Sequence, residues 1–116
     1  MITGSIVAAV LFAIAAVIGL VLAWRHLGMR APSLWAALAH GVFAAAGVIV
    51  LLTIVVRAAG VPAVRTTSLA FFLDTVPFGV FLFATHVHAR RLPAWIIVLH
   101  RLMAVVGFVL LLVFLR

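Results

Sequence analysis

The sequence predicts an all-α integral membrane protein: a four-transmembrane-helix bundle built from two parallel two-helix repeats. Three observations predict it. First, 70% of the 116 residues are hydrophobic and the mean hydropathy is +1.54, which leaves too few polar residues to cover a soluble domain. Second, four apolar runs stand between short loops, each long enough to cross a hydrocarbon core of roughly 30 Å. Third, the chain repeats itself. Trp35–Leu52 reads W-A-A-L-A-H-G-V-F-A-A-A-G-V-I-V-L-L, and Trp95–Leu112 reads W-I-I-V-L-H-R-L-M-A-V-V-G-F-V-L-L-L, sixty residues later.

The same offset pairs Phe12 with Phe72, Gly19 with Gly79, Leu22 with Leu82, His26 with His86 and Arg30 with Arg90. Shared Ala and Leu carry little weight in so apolar a chain. Shared His carries more, since two accidental His matches at a fixed offset have odds on the order of one in a few hundred. One membrane domain, 1–116, therefore contains repeat 1 at about 1–56 and repeat 2 at about 61–116.

Ile2–Trp24 is the first span. It lacks the basic n-region of a signal peptide, and its apolar run is too long for one. Arg25 to Ser33 forms loop 1, and Pro32-Ser33 suits a helix start. The second span runs from about Leu34 to Val56. Ala58 to Arg65 forms loop 2, with Thr66, Thr67 and Ser68 as candidate N-caps for the third span. That span runs to about Ala89 and contains Pro77, whose missing N–H predicts a kink. Pro93 opens the fourth span, Ala94 to Leu115.

The charge is one-sided: eight Arg, no Lys and one acid, Asp74. The arginines cluster at helix ends, which indicates topology and lipid headgroups and argues against nucleic acid. Loop 1 and loop 3, the latter joining the third span to the fourth, share a side with Arg25, Arg30, Arg90 and Arg91; Arg57, Arg65 and Arg116 lie opposite. The positive-inside rule then places loops 1 and 3 in the cytoplasm and both termini outside, in a membrane such as the bacterial inner membrane. No Cys is present, which excludes disulfides, thiolate metal sites and iron–sulfur clusters. No nucleophile–base constellation or phosphate loop supports hydrolytic chemistry.

The chemistry-bearing residues are histidines. His40 and His100 each follow a Trp by five residues, and each heads a stripe at i, i+4, i+7 and i+11: His40, Ala44, Gly47, Leu51 and His100, Ala104, Gly107, Leu111. Both imidazoles are expected at one depth, facing each other across the bundle as axial ligands of haem b. Gly47 and Gly107 would leave room for the porphyrin, with Arg101, Arg25 and Arg90 near its propionates. The bland alternative is two histidines bonded to neighbouring helices, with the glycines as packing contacts. His26 and His86 are candidates for a second ligand pair or for interfacial positions, and His88 for an interfacial one. Asp74 is expected inside the bundle, as a structural hydrogen-bonding group or as a proton or quinone residue.

On these residues the chain resembles the haem-binding four-helix bundles of membrane cytochromes b. It looks most like half of a haem A synthase, whose bundles carry histidines on their second and fourth helices; His100-Arg101 matches a His-Arg pairing of that family. The family's glutamate and second bundle have no counterpart here. The resemblance implies haem binding and electron transfer, and not synthase activity; haem b is the expected cofactor, with quinone as a second candidate. The expected function is a haem b electron-transfer subunit, with a non-catalytic accessory subunit of a larger respiratory or photosynthetic complex as the alternative. A redox or accessory role is expected over a free-standing enzyme. The partners are the lipid bilayer and either a larger membrane complex or further copies of the chain.

Overall fold

The computed structural model describes residues 2–28, 33–58, 60, 63–88 and 91–115. Among the described residues there are four helices: α1 (Ile2–Leu27), α2 (Leu34–Arg57), α3 (Ala63–Val87) and α4 (Ala94–Phe114). All four are long and apolar enough to cross a membrane. The main packing is within two hairpins, α1 on α2 and α3 on α4. Narrower α2–α3 and α1–α4 seams close the ring and leave α2 and α4 on a diagonal.

Local chemistry sets the ends. Ser33 caps α2, its Oγ accepting from the Ala36 N–H at 3.2 Å, which satisfies one of the orphan donors of the first turn. Pro93 stands immediately before α4. α1 extends beyond the expected Trp24 through Arg25 and His26, where basic side chains complement the helix C-terminus. α3 begins at Ala63, so Thr66, Thr67 and Ser68 are not caps but helical residues. Thr67 Oγ1 donates back to the Ala63 carbonyl at 2.8 Å, and Ser68 Oγ crosses to the Gly107 carbonyl of α4 at 2.6 Å. α3 remains one helix through Pro77. Arg30, Arg90, Pro32 and Arg116 lie outside the described residues.

The core is a pair of inward stripes. Ser5, Ala8, Ala9, Phe12 and Ala15 of α1 are buried, and so are Arg65, Ser68, Leu69, Phe72 and Thr75 of α3. Each set follows the i, i+3, i+4, i+7 spacing of one helix face. Arg65, expected as a loop 2 charge on the surface, is therefore buried because the helix starts early enough to put it on the stripe. Phe12 and Phe72 stack at the centre with centroids 3.7 Å apart, and Leu51 and Leu111 close the core beside them. Polarity is inverted relative to a soluble bundle: Ser5, Arg65, Ser68 and Thr75 point inward, while Val17, Leu20, Val42, Ile49, Val80 and Val105 point outward.

Candidate functional site

The site is built where the two hairpins meet. His40 sits on α2 and His100 on α4, and their rings come together across the diagonal. Their centroids are 6.2 Å apart and their planes are turned by 67°. Each ring is held by the other helix of its own hairpin. His40 Nδ1 lies 2.7 Å from the Ala15 carbonyl of α1, and His100 Nδ1 lies 3.2 Å from the Thr75 carbonyl of α3. A carbonyl oxygen can only accept, so in both rings Nδ1 carries the proton and donates. In a neutral ring the Nε2 lone pair is then available to a ligand-seeking metal.

Glycines on α1 and α3 make this placement possible. A Cβ at Gly19 would stand 3.1 Å from His40 Cε1, and one at Gly79 would stand 3.0 Å from His100 Cε1. A side chain there would force the ring to give way by a few tenths of an ångström. Sequence reading paired these glycines through the sixty-residue offset but gave them no role. The signal was present, because each shares its offset with the histidine it supports.

Gly47 and Gly107 do something else. A Cβ at Gly47 would come within 2.9 Å of the Phe12 ring, and one at Gly107 within 3.4 Å of the Phe72 ring and 3.3 Å of Phe71 Cβ. The space expected for a porphyrin beside these glycines is filled by the stacked phenylalanines. The stripes below the histidines are packing seams, because two flat rings fit between helices only where no Cβ intrudes.

The remaining candidates scatter. Asp74 is exposed on α3, which corrects the expectation of an inward carboxylate. Thr75 occupies the inward stripe, and its neighbour is rotated by about 100° around the helix. Arg101 is likewise exposed on α4, one residue past His100. Arg25 is half-buried in the last turn of α1, and His26 and His86 occupy equivalent places at the ends of α1 and α3, His26 exposed and His86 half-buried. His88 is exposed in the turn after α3. Trp24, Trp35 and Trp95 are exposed at this same end of the bundle. Among the described residues, no group of three His, Cys, Asp or Glu side chains is placed to hold a metal ion.

Fold and site together define a class, an all-helical four-helix bundle with a carbonyl-anchored histidine pair on its second and fourth helices. Comparison with protein-family models, with curated proteins and with solved structures finds no match to the chain.

Proposed function

We propose that this chain is an integral membrane protein that binds haem b between His40 and His100 and serves as an electron-transfer subunit. The observation that carries the reading is the anchored pair itself. Two imidazoles ligating one iron through Nε2, each with a metal–nitrogen bond of about 2 Å, hold their centroids roughly 6 Å apart. The rings of His40 and His100 are 6.2 Å apart, and both direct Nδ1 to a backbone carbonyl. The donor set also suits the group. Among the described residues no third His, Cys, Asp or Glu joins the two nitrogens, which are too few for an ordinary protein zinc site, but a macrocycle brings four more of its own.

In this reading Ala15 and Thr75 orient the ligands, and Gly19 and Gly79 keep α1 and α3 clear at the ligand level. The Phe12–Phe72 stack excludes water from one side. In the same reading Arg25, in the last turn of α1, would meet a propionate. A bound haem would supply one-electron redox chemistry; the chain supplies ligation, orientation and a dry surround.

Insertion in a membrane is supported by the outward apolar faces and by the three tryptophans at one end, where amphipathic rings favour an interface. Burial of Arg65 removes one cation from the loop 2 surface, which favours a cytoplasmic position for loops 1 and 3. The contacts repeat at the sixty-residue offset: histidine on carbonyl, histidine on glycine and phenylalanine on glycine each occur once per hairpin. That recurrence supports an origin by internal duplication.

The test is a reduced-minus-oxidised spectrum of the purified protein after haem titration. The expected result is a six-coordinate low-spin b-type spectrum at one haem per chain. A protein that folds and takes up no haem favours the second reading, a non-catalytic accessory subunit. The observation on its side is the filled space beside Gly47 and Gly107.

A further inference from the structure

Asp74 and Arg101 are two opposite charges on the outside of the bundle, far from either helix end. Asp74 stands eleven residues into α3 and Arg101 seven residues into α4. Both side chains are exposed, and among the described residues no hydrogen bond or ion pair joins either to another group. A charge facing hydrocarbon at such a position is costly.

Their levels are tied together. His100 bonds the carbonyl of Thr75, so that pair sets the register of the antiparallel α3 and α4. From it, Asp74 lies one residue back along α3 and Arg101 one residue forward along α4. Since the helices run in opposite directions, both steps go the same way, by about 1.5 Å. The acid and the base therefore share one depth to within about a helical turn. The other hairpin carries Ile14 and Gly41 at the equivalent positions, both exposed and uncharged.

We propose that copies of this chain associate side by side through the α3–α4 hairpin, with Asp74 of one copy paired to Arg101 of the next. The inference rests on the membrane-spanning reading, and it does not depend on haem. Rotation about an axis along the membrane normal preserves depth. An acid and a base at the same level on one protomer therefore meet their complements on a second copy without any vertical shift. The pair neutralises both charges where water is scarce, and the uncharged face of α1–α2 stays in lipid.

The chain has no Cys, which makes the test direct. Full-length Asp74→Cys and Arg101→Cys proteins are co-reconstituted in lipid vesicles and treated with a short bifunctional thiol reagent. The expected product is a mixed dimer, enriched about tenfold or more over an Ile14→Cys with Gly41→Cys control pair. Asp74→Arg and Arg101→Asp alone should each weaken self-association by about tenfold or more, the scale of one lost desolvated ion pair. The double exchange should restore it. Alkaline carbonate extraction separates the two levels. A chain stripped from the vesicles overturns the spanning reading and this pairing with it. A chain that stays in the vesicles, but cross-links no better than the control, overturns the pairing alone.

Discussion

Phe12 and Phe72 stack with ring centroids 3.7 Å apart and planes within 6° of parallel, each from a different hairpin and each seated near the glycine of its neighbouring helix. The contact joins the two halves of the chain directly below the histidine pair. It has consequences for stability that differ between the two seats.

Gly47→Ala places a methyl 2.9 Å from the Phe12 ring, whereas Gly107→Ala meets its nearest neighbour at 3.3 Å. Overpacking costs about 1–3 kcal/mol, and replacing a helical glycine by alanine returns about 1 kcal/mol. The expected outcome is a net loss for Gly47→Ala and near-neutrality for Gly107→Ala. Unfolding in detergent should rank them by about 1 kcal/mol or more.

His40→Ala and His100→Ala should each abolish the six-coordinate haem spectrum, because each removes one axial nitrogen. His88→Ala should leave it unchanged. Folded His40→Ala and His100→Ala proteins with the wild-type spectrum would remove the basis of the proposed site.

Gly19→Ala and Gly79→Ala act on the histidines through the ring edge. A methyl 3.0–3.1 Å from Cε1 tilts the imidazole and lengthens its bond to Ala15 or Thr75. Loss of such an orienting contact typically lowers metal affinity by about 10–100-fold. Haem titration should report that loss and a shifted midpoint potential, with helix content by circular dichroism unchanged.

Ser68 Oγ donates to the Gly107 carbonyl inside the bundle, a side-chain hydrogen bond that ties α3 to α4 below the histidines. Ser68→Ala should cost about 0.6–2 kcal/mol, the range for a helix-to-helix hydrogen bond in an apolar surround. Ser68→Cys, close in size with a weaker donor, should fall between the two.

The four helices and their order were legible in the sequence, because long apolar runs and short loops leave few other arrangements. The start of α2 was legible from Pro32-Ser33 just ahead of an apolar run. The meeting of His40 and His100 was legible too, since a matched offset and a matched distance from Trp35 and Trp95 give two residues one depth on alternate helices. The direction of each helix face was not. Asp74 was expected inward and points outward; Arg65 was expected on the surface and is buried; Gly47 and Gly107 were assigned to a cofactor and hold phenylalanines. The reason is physical. In a soluble bundle the contrast between polar and apolar residues marks the inward face of every helix. Here the outward faces are as apolar as the core, the contrast vanishes, and only the packing of Phe12, Phe72 and the two imidazoles against specific glycines decides how each helix is turned.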